Sequence, residues 1–129
     1  MAMSERAAAL KAELMPLIEL RYKLERQRRC MDVLRMGNGR YAGEALAEIT
    51  REKRETNRAF GCGQRRLQEI LRCSALSEVQ RTVLCVRYED GLSWSQVAEV
   101  MGFGRRYVIK LHNQALEAVA GERAAWRVQ

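Results

Sequence analysis

A single histidine, His112, and a single proline, Pro16, stand in the 129 residues. The four cysteines (Cys30, Cys62, Cys73 and Cys85) never fall into a C-x-x-C pair. One histidine and scattered thiols argue against a zinc site, and the cysteines read as reduced thiols serving mostly in packing. The histidine has no triad partners in view, and neither a phosphate-binding glycine loop nor a carboxylate pair stands out, so no enzymatic activity and no cofactor are expected. No stretch approaches the run of about 18 apolar residues that a membrane span requires. Met1 to Leu10 carries Glu5 and Arg6 in place of the apolar centre of a signal peptide. The expected location is cytoplasmic, with no membrane partner. β-branched residues are sparse, which disfavours sheet.

What the chain does hold is 47% hydrophobic residues, dominated with the rest by Ala, Leu, Glu and Arg. That is enough for a core and favours an all-α fold. The net charge of +7 draws such a protein to polyanions such as nucleic acid or an anionic membrane. Residues 4–36 form one helical pattern in which Leu10, Leu17, Leu24 and Met31 recur every seven positions, with Leu14 and Leu34 between them. Arg21 and Arg28 fall on the alternate seam, where apolar residues belong. Pro16 either kinks this helix or starts it. Its basic second half is a solvated face or an auxiliary phosphate-contacting surface. After Gly37-Asn38-Gly39, a second pattern runs from Tyr41 to about Cys73 through Leu46, Ile49, Lys53, Thr56, Phe60, Gly63, Leu67 and Ile70. Gly61-Cys62-Gly63 inside it predicts a bend, a close helix contact or a break. The two helices make a coiled-coil-like hairpin whose leftover apolar surface would be covered by self-association, as a homodimer or higher oligomer.

The remaining pattern is shorter and more regular. Ser77 with Gln80, and Ser93 with Gln96, spell two capping boxes. Val79, Val83, Leu84 and Val86, with Tyr88 at the end, supply the buried face of the helix that Asp90-Gly91 stops. Ala98, Gly102 and Val108 then give a small residue, a turn and an apolar residue at the spacing of a helix-turn-helix, with Val108, Leu111, Ala115 and Val119 facing inward. An αα-hairpin of purely structural role has a similar periodicity. The expected architecture is all-α: a long N-terminal helical hairpin over 1–75, a trihelical helix-turn-helix module over 76–121 (helices 77–89, 93–101 and 105–121), and a tail, 122–129, containing Trp126, whose role stays open.

Leu76–Leu84, Arg87–Trp94, Val97–Gly102 and Ala115-Leu116 resemble region 4 of sigma-70-type factors. "RYEDGLSW" followed by "LHNQAL" is similar, more specifically, to small phage regulators of late transcription of the ArpU and RinA kind. The resemblance implies a phage or prophage transcriptional regulator that binds promoter DNA and contacts bacterial RNA polymerase. The chain lacks anything like the region that opens a promoter, so it does not resemble a complete sigma factor. Gly104 stands where such modules often place a Ser or Thr cap.

On the second helix of the motif, Arg105, Arg106, Ile109, Lys110 and Asn113 form a stripe opposite the inner one. Arg pairs bidentately with guanine, Asn with adenine, Lys suits phosphate or guanine, and Ile suits a thymine methyl. Ser93, Trp94 and Ser95 open the preceding helix as contacts for backbone phosphate, with Trp94 alternatively an anchor for that helix. His112, beside the inner face, is a packing or surface residue. The function expected is a sequence-specific transcriptional regulator acting on double-stranded DNA. A small terminase-like DNA-packaging subunit and a sigma-like protein-interaction module are the alternatives.

Overall fold

The computed structural model describes residues 3–37 and 39–128, with side chains in the last helix only as far as Arg123. Asn38 of the glycine turn, the Trp126 side chain and Gln129 lie outside the described residues. The architecture is all-helical: α1 (Glu5–Met36), α2 (Ala42–Leu71), α3 (Glu78–Leu84) continuing into a π-helical turn (Cys85–Glu89), α4 (Trp94–Met101) and α5 (Arg105–Val128).

Helix α1 is continuous through Pro16. The ring sits on the exposed face while Leu14 and Leu17 on either side of it are buried, so the carbonyl that loses its intrahelical partner is left to water. Pro16 therefore does not start the helix. Ser4 caps it, its hydroxyl accepting from the Ala7 N–H at 3.2 Å. The Ser4 N–H and hydroxyl in turn donate to the Glu117 carboxylate of α5 at 2.6 and 2.9 Å.

Helix α2 also passes unbroken through Gly61-Cys62-Gly63, so of the three expected outcomes the close helix contact is the one realised. A Cβ on Gly63 would stand 2.6 Å from the Leu17 Cδ2 atom, whereas Gly61 faces open space apart from the Arg65 guanidinium. Nearer the turn, the polar interruption of the stripe is partly satisfied: buried Gln27 donates through Nε2 to buried Thr56 Oγ1 at 3.2 Å, and Thr56 donates to the Glu52 carbonyl, while the Gln27 Oε1 has no partner among the described residues.

The sequence divides at 75/76, but one hydrophobic core crosses that point. Leu10, Leu14 and Leu17 of α1 and Leu67 and Ile70 of α2 pack with Leu76, Leu84, Tyr88, Ala115, Leu116 and Val119. The proximal apolar surface of the hairpin is thus covered by α3 and α5 of the same chain rather than left for a second copy. Val79 is a correction: it is exposed, because the first turn of α3 overhangs this core and Leu76, ahead of the cap, enters it instead. Cys30 and Cys62 are exposed and Cys73 and Cys85 half-buried, so only the latter pair contributes packing. Among the described residues no helix is long and apolar enough to cross a membrane, and no group of His, Cys, Asp and Glu is placed to hold a metal ion.

The two neighbouring glycines of α2 give opposite expectations. Gly61→Ala should stabilise by up to about 1 kcal/mol through helix propensity. Gly63→Ala gains the same propensity but forces a methyl into immobile, buried Leu17, and overpacking of about 1–3 kcal/mol outweighs it. Urea melts of the two variants should move in opposite directions, and a stabilised Gly63→Ala would contradict the packing described.

Candidate nucleic-acid interface

Both capping boxes are formed. Ser77 and Ser93 each accept from the amide three residues on at 3.2 Å, and Gln80 and Gln96 each accept from the cap amide at 2.9 Å. The Ser93 hydroxyl is thereby committed to its helix, while Ser95 is exposed. Gly102 ends α4 in the left-handed region at φ 72°, where its amide reaches back to the Ala98 and Glu99 carbonyls. Val86, Val97 and Val108 form a second small core, edged by Leu92, Trp94, Ala98 and Met101, which fixes the angle between α4 and α5.

Helix α5 begins at a glycine cap without side-chain help: the Tyr107 and Val108 amides both donate to the Gly104 carbonyl at 3.1 Å. The amides of Arg105 and Arg106 meet no acceptor among the described residues, so this helix start has donors facing outward. Val108, Leu111, Ala115 and Val119 are buried as expected. Arg105, Arg106 and Lys110 are exposed, and none of them joins the ion pairs formed among the described residues. Ile109 is half-buried beside them.

Asn113 departs from the expected stripe. Its Oδ1 is 2.9 Å from Nδ1 of His112, and His112 is fully buried, its Nε2 only 2.6 Å from the Tyr88 hydroxyl. The arrangement fits a neutral imidazole: Nδ1–H donates to Asn113, and Nε2 accepts from Tyr88. Burial pushes the His112 pKa down to about 4, with the Asn113 bond opposing the shift only in part. Burial likewise raises the Tyr88 hydroxyl above the usual phenol range. Trp94 lies edge-on to His112 at 4.9 Å, with the Arg87 guanidinium 4.5 Å over its ring. Arg87 also donates to the Leu92 carbonyl at 2.7 Å. Trp94 is therefore the anchor of α4.

The free amide on the outer face is Gln114, which is exposed. It lies four residues after Lys110, one turn on along the same face, and that spacing was available in the sequence. Phe103 and Tyr107, also four apart, are exposed and meet edge to face at 5.0 Å beside the arginines. The sequence stripe omitted all three.

A family model described as Sigma-70, region 4 matches residues 74–120. Residues 74–120 are a sigma-70 region 4-like helix-turn-helix domain. No curated protein and no solved structure matches the chain. The region 4-like domain starts just ahead of Leu76, the residue that carries α3 into the core, and ends at the buried Val119 and Ala120 of α5. The function this supports is that of a DNA-binding helix-turn-helix regulator. Within this domain, Arg87–Trp94 and Leu111–Leu116 meet in space through the Arg87, Tyr88, Trp94 and His112 contacts. They build the scaffold of the region 4-like domain more than its outer surface.

The sign of the His112 contribution follows from its depressed pKa. Between about 6.5 and about 4 the unfolded chain takes up a proton that the folded one refuses. Stability is therefore full above this window and is lost as pH falls through it, by about 3 kcal/mol in all. The difference in unfolding free energy between the parent and His112→Gln should change over this window, and curves that stay parallel there would contradict the buried neutral imidazole.

Proposed function

We propose that the protein is a sequence-specific transcriptional regulator that reads the DNA major groove with the first turns of α5. The observation that carries this is the division of one helix. Its later turns are held in the core by Ala115, Leu116, Val119 and Ala120, while Arg105, Arg106 and Lys110 stand exposed at its start, outside the ion pairs formed among the described residues. Exposed cations also line structural helix α2, and it is the sigma-70 region 4 match over residues 74–120 that supports reading this ridge as a DNA surface. Arg105 and Arg106 are assigned to guanine edges, Lys110 to guanine or phosphate, and Ile109 to a thymine methyl. Gln114, with its amide free, takes the adenine-reading role expected of Asn113. Ser95 and the amides at the start of α5 suit backbone phosphates.

The regulator on this reading is phage- or prophage-encoded and meets bacterial RNA polymerase. The likeness of Arg87–Trp94 and Leu111–Leu116 to late-transcription regulators supports both points. Self-association is assigned to the turn end of the hairpin, where Val33, Met36 and Tyr41 are exposed. Sedimentation velocity at micromolar concentration should give more than the 14.8 kDa of one chain, and a single monomer boundary would remove that assignment.

Replacing Arg105 and Arg106 by alanine should leave the circular-dichroism melt nearly unchanged. Binding to a duplex selected from random sequence should weaken by about 1–3 kcal/mol for every base-reading side chain removed, or roughly 5- to 150-fold for each. An unaltered Kd at moderate salt would sink the proposed reading surface.

A further inference from the structure

A groove of about 220 Å³ between α1 and α2 is lined by Arg21, Arg28, Lys53, Glu25, Asn57 and Phe60. Its one carboxylate is already engaged: Glu25 is bridged by Arg28 at 2.6 Å and by Arg29 at 3.5 Å, and the Arg28 hydrogen bond holds it below the usual carboxylate range. Arg21 and Lys53 are half-buried and take part in none of the ion pairs among the described residues. The Arg21 guanidinium stacks over the Phe60 ring at 5.3 Å, and its buried Nε has no hydrogen-bond partner. The Nε packs beside Gly91, and the apolar wall behind the Arg21 and Lys53 charges concentrates their field on whatever anion enters the groove.

The groove adjoins the helix-turn-helix. Gly91, in a left-handed turn at φ 69°, leaves room for the Arg21 side chain: a Cβ there would be 2.7 Å from the Arg21 Cδ atom. Gly91 is two residues ahead of Ser93, the cap of α4. Beyond Arg21, α1 runs on for 15 residues to Met36, a reach of about 22 Å at 1.5 Å per residue, or about six base-pair steps at 3.4 Å each.

We infer that the Arg21–Lys53 groove is a second DNA contact, holding backbone phosphates of the duplex that α5 reads, outside the sequence that α5 contacts. This rests on the proposed DNA-binding function. Arg21 and Lys53 supply the charge, Asn57 a neutral donor, and the hairpin becomes an arm laid along the flank of the site.

The test compares two duplexes built around the sequence that the full-length protein selects from random DNA. One has about 14 base pairs, and the other is extended by about six on each side, the reach of the arm. The dependence of log K on log salt is measured for the parent, for Arg21→Gln/Lys53→Gln, and for Lys53→Glu, a change on α2 away from Gly91 that spares the turn. On the long duplex the double variant should lose about 1.8 from the steepness of the salt dependence, at 0.9 per phosphate contact, with no change on the short one. Lys53→Glu should weaken long-duplex binding alone. Unchanged slopes on the long duplex overturn the groove and leave the reading by α5 intact. Equal losses on both lengths overturn it too, since they indicate a shift of the helix-turn-helix. Arg105→Ala/Arg106→Ala reports on the reading itself, because it should weaken binding at both lengths. A parent protein that binds no duplex overturns both proposals.

Discussion

The burial of the later turns of α5 is the constraint on which the rest of the structure depends. Ala115, Leu116, Val119 and Ala120 sit in a core to which α1, α2, α3 and the π-helical turn all contribute. Small residues at 115 and 120 let the neighbouring helices approach, while Leu116 and Val119 supply the apolar area. The Glu117 carboxylate fixes the start of α1 against the same helix. With that half immobilised, the first turns of α5 project from a rigid base, and the small Val86–Val97–Val108 core needs only to set α4 against them. A reading helix held at its far end keeps its near end in register without placing apolar bulk on the outer face.

The second constraint is polar. Tyr88, His112 and Asn113 form a chain of hydrogen bonds that links the π-helical turn to α5, and Trp94 closes it from α4. Such a chain is stabilising only when every member is satisfied, and the neutral imidazole meets that condition. The turn itself follows from the same need. The Asp90 amide reaches back to the Cys85 carbonyl, a five-residue span that widens the helix end where Tyr88 is buried. Arg87 is then free to cover Trp94 and hold the Leu92 carbonyl.

Much of this was legible in the sequence. The two capping boxes, the left-handed Gly102 and the inner stripe of α5 depend on contacts within a few residues, and the local pattern states them directly. The readings that failed or stayed open depend on partners far away in the chain. Asn113 lies on the outer stripe by spacing, yet its neighbour His112 needs an acceptor because Tyr88, 24 residues earlier, has taken its other nitrogen. Val79 has the right period but lies beyond the edge of the core. Pro16 is tolerated because its face of α1 meets no other helix, and Gly63 is required because Leu17 comes close, neither of which the local pattern reveals. The division at 75/76 follows the change of helical pattern ahead of the Ser77 capping box, whereas the core follows the pairing of α1 with α5.

Native-state hydrogen exchange on the full chain tests this shared core most directly. The slowest amides of α1 around Leu10 to Leu17 and of α5 around Ala115 to Ala120 should open with the same free energy and fall together in Leu116→Ala, by about 2–5 kcal/mol. If α1 exchanges through a separate, cheaper opening while α5 keeps its full protection, the hairpin is only an appendage and does not hold the reading helix in place.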